Sequence, residues 1–183
     1  MFKIIDDFLD IDKFDGINHV IQSHDFCWQI RCVSDKTVLN KNSNDGDWQG
    51  IHNIVEQGTV ILPTNKFMVD NLVECLQKIY RKSVSVYRFR VNLFGREQES
   101  RGLGYHKDMD MDDWLSLLLY LEDSNGKTEF ENVQMFDGVK MKAVDSFANR
   151  ALIFPSTCEH QTLTQTNVTF RTNINMNFKF DSE

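Results

Sequence analysis

Two histidines, one aspartate and one arginine carry the chemistry that can be read from this chain. His106-Lys107-Asp108 follows a glycine-punctuated stretch, at the expected start of a strand. In an extended segment positions 106 and 108 point to the same side, so an imidazole and a carboxylate converge on one point. His160 stands in another strand-like segment late in the chain. Two imidazoles and one carboxylate on one face of an ion make a facial triad, a donor set that suits divalent iron and leaves coordination positions open. Arg171 follows His160 across one expected hairpin turn. A guanidinium matches a carboxylate in bidentate fashion, and an unpaired one on the inner face of a narrow barrel would be costly. Arg171 therefore implies an acidic partner, and a dicarboxylate would supply one. An HxD pair alone is a weak signal; the joint set is stronger. His19, His24 and His52 read as surface or satisfied core histidines.

Elements must bring these four together. Phe2 to Ile5 reads as a strand. Asp10 or Asp12 caps a helix to about Gln22, with Ile11, Phe14, Ile17, Val20 and Ile21 on one face. Phe26 to Val33 and Trp48 to Val55 have strand character, and 35–47 reads as a polar loop. Pro63-Thr64 opens a second helix, with Thr64 as N-cap and Phe67, Met68, Leu72, Leu76 and Ile79 at helical spacing, ending near Arg81. The period then drops to two. Val84 to Phe94 is strand-like, and Trp114 to Leu121 is apolar almost throughout, as a strand covered on both faces should be. Asp123-Ser124-Asn125-Gly126 is a turn signal. Short strands are predicted at 128–130, 139–144 and 150–154, on either side of a turn at 164–167, and at 170–180. In the last, Thr172, Ile174, Met176, Phe178 and Phe180 share one face, and Arg171, Asn173, Asn175 and Asn177 the other. Two helices before many short strands predict a mainly β chain, an antiparallel jelly roll with helices on one outer face.

Composition narrows the function classes. The chain has 183 residues and 14 Phe, enough for one sizeable core. A net charge of −7 disfavours phosphate-backbone partners. No apolar run approaches the roughly 20 residues that span a bilayer, and the N-terminus meets Asp6 and Asp7 at once, so a cytoplasmic protein is expected. Cys27, Cys32, Cys75 and Cys158 show no CxxC spacing and read as reduced thiols. The run Asp108, Asp110, Asp112, Asp113 reads first as a solvated loop, with an acidic lip selecting cationic or neutral substrates as the functional alternative. Gly95–Gly104 is a connector or a glycine-hinged lid, and 40–47 is a second lid candidate.

An ordered series of segments resembles the 2-oxoglutarate/iron(II) oxygenase superfamily in its prolyl-4-hydroxylase-like branch. The series begins with Phe2-Lys3-Ile4-Ile5-Asp6-Asp7-Phe8-Leu9 and continues through Arg90-Val91-Asn92-Leu93-Phe94 and Gly104-Tyr105-His106-Lys107-Asp108. Leu119-Tyr120-Leu121, Gly126-Lys127-Thr128 and Asn149-Arg150-Ala151-Leu152-Ile153-Phe154-Pro155 lead on to His160 and Arg171. The likeness is greatest to small stand-alone members found in marine phages and bacteria, which would put the protein in a host cytoplasm. It implies one domain over 1–183, with 1–83 as helical and strand support and 84–183 as a double-stranded β-helix (cupin-like) core, the helices packed on the major sheet. His106, Asp108 and His160 match its iron ligands, and Arg171 its anchor for the distal carboxylate of 2-oxoglutarate. Tyr120, Thr128 and Asn92 match further cosubstrate contacts. Two departures stand out: Phe94 replaces a Tyr, and Arg171 stands where prolyl-4-hydroxylases proper commonly have Lys. The resemblance implies Fe(2+), 2-oxoglutarate and O2, with ascorbate as a candidate reductant. It implies hydroxylation of a C–H bond in a protein, peptide or small molecule, a peptidyl residue such as proline first, with release of succinate and CO2. Retention of Asp108 favours hydroxylation over halogenation. The competing readings are a nucleobase-oxidising, demethylase-type oxygenase and a non-catalytic metal-binding jelly-roll module.

Overall fold

The structure is a computed structural model that describes residues 1–32 and 48–181. The expected loop at 35–47 and the lid candidate within it lie outside the described residues. β1 (Lys3–Ile5) leads into α1 (Ile11–Ile21), β2 (Gln29–Cys32), β3 (Trp48–Glu56) and β4 (Thr59–Val60). A 3-10 turn (Pro63–Asn65) precedes α2 (Lys66–Tyr80), and then strands alone follow. They are β5 (Val84–Gly95), β6 (Leu115–Tyr120), β7 (Ser124–Phe136), β8 (Val139–Ser146), β9 (Ala151–Pro155), β10 (His160–Leu163) and β11 (Phe170–Phe180).

Among the described residues all strand pairings are antiparallel, in two facing layers. The major sheet runs β1-β9-β6-β11-β5-β3-β2, with β4 paired to β3, and the minor sheet runs β10-β7-β8. This is the jelly-roll arrangement expected from the strand pattern. Alternation along β6 and β11 decides what lies on each side of the major sheet. Leu117, Leu119, Ile174, Met176 and Phe178 face outward and are covered by Phe14, Ile17 and Ile21 of α1 and Met68, Leu72 and Leu76 of α2. On the inner side Leu118 and Tyr120 join Phe130, Phe136, Val144, Leu152 and Phe154 between the sheets. β6 is thus buried on both faces, which is why it lacks polar alternation.

Several local expectations are corrected. Thr64 lies inside the 3-10 turn, because Pro63 starts the helical path early; Asn65 occupies the N-cap of α2. α1 begins after Asp10, whose side chain makes no capping bond. Asn125-Gly126 does not close a hairpin. β7 runs straight through it, and three residues of β7 pass while β8 advances by one, from the Ser124–Ser146 pair to the Lys127–Asp145 pair. The turn-like residues mark a bulge. Arg171 is likewise not across a hairpin from His160: β10 belongs to the minor sheet and β11 to the major one, so the connection crosses between layers.

Candidate active site

The triad is set up by two backbone hydrogen bonds. His106 N–H donates to His160 O (2.9 Å) and His160 N–H to His106 O (3.0 Å). The two residues are therefore directly opposite in an antiparallel bridge, and their side chains fall on one face. His106 is held by this isolated bridge and lies outside the named strands, which corrects its expected place at a strand start. Asp108 N–H donates to Ser156 O (3.0 Å), fixing the segment two residues on. The result is that ligand atoms of His106, Asp108 and His160 all lie within 4.8 Å of one another.

Each imidazole is oriented from behind. Nδ1 of His160 is 3.0 Å from Cys158 O, and Nδ1 of His106 is 3.3 Å from Gly104 O. A carbonyl only accepts, so Nδ1 carries the proton and Nε2 is left with its lone pair toward the site. Burial first, then the neighbouring His106, bring His160 down to about 4, which keeps it neutral near pH 7. Burial alone would raise Asp108, but His160, Arg88, His106 and the Ser116 hydroxyl outweigh it and hold the carboxyl well below its usual range. It is thus a carboxylate. Two imidazoles and one carboxylate are a donor set that fits iron(II).

Asp108 has a set of partners, of which sequence reasoning placed Asn175 on the inner face and missed Arg88 and Ser116. Arg88 Nη2 (2.8 Å) and Asn175 Nδ2 (3.0 Å) donate to its Oδ1, and Ser116 Oγ (2.6 Å) to its Oδ2. Asn177 Nδ2 in turn donates to Ser116 Oγ at 2.9 Å. The available signal was the period of two in β5, which puts Arg88, Arg90, Asn92 and Phe94 on the face opposite Phe89 and Val91.

The second part of the site surrounds Arg171. Its side chain is fully buried, yet among the described residues only Nη1 is bonded, to Leu163 O at 3.2 Å, and Nε and Nη2 have no partner. The guanidinium lies over the Phe94 ring, 5.3 Å from its centroid. Tyr120 donates to Thr128 Oγ1 at 2.7 Å, and burial pushes the phenol up to about 12. Glu122 lends nearby negative charge, but its carboxylate accepts from the N–H and hydroxyl of Thr172. Asn92 stands one step away, donating to Asn173 Oδ1 (2.9 Å) and accepting from Gln49 Nε2 (2.9 Å). Gly126 makes room for all this: a Cβ there would lie 2.1 Å from Arg171 Nη1.

Other candidates sort cleanly. His52 is satisfied on both nitrogens, by Cys27 O (2.7 Å) and Asn65 Nδ2 (2.8 Å). Asp110, Asp112 and Asp113 are exposed, as a solvated run should be. The loop before His106 is pinned to β10 by Leu103 N–H to Thr162 O (3.0 Å) and Thr164 N–H to Arg101 O (2.9 Å). Cys27, Cys75 and Cys158 are free thiols, Cys158 packing at the edge of the inner apolar cluster. Among the described residues no helix is long and apolar enough to cross a membrane.

No family model matches the chain, and no curated protein matches it. Solved structures do. A Trichoplax adhaerens prolyl hydroxylase in complex with a hypoxia inducible factor oxygen degradation domain peptide fragment is 15% identical, with a TM-score of 0.62 over 98% of this chain and 83% of that one. A Pseudomonas putida prolyl-4-hydroxylase is 13% identical, with a TM-score of 0.54 over 99% and 93%. A 2OG-Fe(II) oxygenase family oxidoreductase from Burkholderia pseudomallei is 12% identical, with a TM-score of 0.60 over 92% and 78%. The chain has the fold of the 2-oxoglutarate/iron(II) oxygenases, at identities that speak for the fold alone.

Proposed function

We propose that this protein is an iron(II)- and 2-oxoglutarate-dependent dioxygenase that hydroxylates a C–H bond, most naturally in a peptidyl residue such as proline. The observation that carries it is the buried Arg171 guanidinium with two unbonded nitrogens, in the compartment that also holds the His106–Asp108–His160 cluster. A buried charge left unpaired is expensive, so the pocket is built for an anion it binds during function. Arg171 and Asn175 lie four residues apart on one face of β11, about 13 Å between backbones. Asn175 touches Asp108. A small dicarboxylate could thus meet the metal ligands at one end and the guanidinium at the other. The prolyl hydroxylases among the structures of this fold support the substrate class.

Iron bound with 2-oxoglutarate and O2 supplies the oxidising power: one oxygen atom enters the substrate C–H bond and the other enters succinate, with loss of CO2. The chain's own residues orient and protect. His106, Asp108 and His160 hold the metal, with both Nδ1 protons committed to carbonyls. Arg171 takes the distal carboxylate, with Tyr120 and Thr128 beside it. The apolar wall of Leu118, Phe130, Phe154 and Leu152 excludes water from one side.

Iron(II) and 2-oxoglutarate added without oxygen should give the weak visible charge-transfer band of the chelate, and O2 should then release succinate. If wild-type protein shows no band, the oxygenase reading is wrong. Asp108→Ala and His106→Ala should lose the band.

A further inference from the structure

The inner face of β5 carries a second cationic feature. Arg88 and Arg90 pair across the sheet with Asn177 and Asn175, so both guanidiniums project into the compartment that holds Asp108. Arg88 reaches Asp108 through Nη2 (2.8 Å), while its buried Nε has no partner among the described residues. Arg90 bonds through Nε to Asn53 Oδ1 (2.7 Å), and among the described residues no carboxylate contacts it. Arg31 adds a third positive charge: it pairs with Gln49, whose side chain reaches Asn92 on the same inner face. Burial, then Arg88, hold Arg90 down at about 10, with Glu56 and Asp108 only partly compensating. Asp108 is shared with the metal site, so among the described residues the positive charge on this side exceeds what carboxylates neutralise. Arg171, by contrast, sits opposite Phe94, at the far end of the same strand pair.

We propose that Arg88 and Arg90 form an anion-recognition face of the substrate pocket, so that the molecule oxidised here presents a carboxylate near the C–H bond attacked. This rests on the oxygenase reading and narrows it. The carboxylate is that of a free amino acid or an acidic group in a peptide, two sources of one chemistry.

The test uses protein loaded with iron(II) and excess 2-oxoglutarate under argon, so that Arg171 is occupied. Acetate and its neutral counterpart acetamide are titrated at constant ionic strength. Broadening of each methyl proton signal by the paramagnetic iron reports residence beside it. Acetate should broaden saturably and acetamide should not. Arg90→Gln should weaken acetate roughly tenfold, the scale of one charge-assisted contact, and Arg90→Lys should keep most of the affinity. Equal broadening by the two probes, or an unchanged acetate affinity in Arg90→Gln, overturns the proposal. The chelate band in Arg90→Gln certifies a folded, loaded site. Absence of that band from the wild type would take down the oxygenase reading and this one together; a band without acetate selectivity takes down only this one. Displacement of bound acetate by L-proline, but not by acetyl-Gly-Glu-Gly amide, assigns the carboxylate to a free amino acid, and the reverse assigns it to a peptide.

Discussion

The two ends of the inner compartment are prepared in opposite ways. At the Asp108 end, the carboxylate is met by Arg88, Asn175 and Ser116, and Ser116 is met in turn by Asn177. At the Arg171 end, a fully buried guanidinium has one bond to a backbone carbonyl and two nitrogens without any. At the first end the Asp108 carboxylate is held in place by the chain itself, although Arg88 Nε beside it has no partner among the described residues. The second is incomplete until something acidic arrives. The proposed function accounts for the difference: metal ligands would be preset, whereas an anchor for an exchangeable cosubstrate would be left open. The largest effect should come from the open end: Arg171→Ala should weaken 2-oxoglutarate binding by about 2–5 kcal/mol, read from titration of the chelate band, with iron affinity nearly unchanged. Normal 2-oxoglutarate affinity in that variant would remove Arg171 from its role.

The next test probes the closed end through acid. His160 has a value near 4 when folded, against 6.5 when free. As pH falls through 6.5 the unfolded chain takes up a proton that the folded chain refuses until about 4. Stability of the metal-free protein should therefore fall with pH across that window, by at most about 1.4 kcal/mol per pH unit. Asp108 works in a lower range, since its stabilisation is present above its ordinary value of 3.8 and is lost only below that. Denaturant melts between pH 7 and 4 measure the slope, and His160→Asn should flatten it. A flat profile in the wild type would mean that His160 is not held neutral.

Ser116→Ala should cost less. It removes one bond to Asp108 and strands the Asn177 amide. Loss of an outer contact to a metal ligand typically weakens metal binding about 10- to 100-fold, measurable by competition with a chelator. A metal affinity equal to wild type would show that the closed end is held by Arg88 and Asn175 alone.

How much of this contrast could be read before the fold was known depends on what alternation encodes. The period of two along 170–180 placed Arg171 with three asparagines on one face and four apolar residues and Thr172 on the other, and the sheet keeps that division. The HxD pair and His160 were legible because their residue types are scarce and their chemistry specific. Alternation says which face a residue takes, but not which strand lies beside it. That is why β10 and β11 read as one hairpin although they belong to different sheets, and why Arg88 went unnoticed: its meaning depends on Asp108 lying opposite. The Asn125-Gly126 pair misled for a related reason. Turn chemistry and the need for space use the same residue, and here the glycine serves the arginine.

That glycine gives the finest test of the difference between the ends. A Cβ at residue 126 would lie 2.1 Å from Arg171 Nη1 and 3.1 Å from Leu163 O, the one acceptor the guanidinium has. The nearer clash is with the tip of a flexible side chain, so Gly126→Ala should fold, with the guanidinium displaced instead of the backbone. Moving the guanidinium misaligns a bidentate contact without removing its charge, so 2-oxoglutarate affinity should drop about tenfold, well short of the Arg171→Ala loss. Iron affinity should stay at the wild-type level, because no bond around Asp108 involves β7. Equal losses of both affinities would mean that the two ends move as one body, and the contrast between a preset metal end and an open anchor would fail.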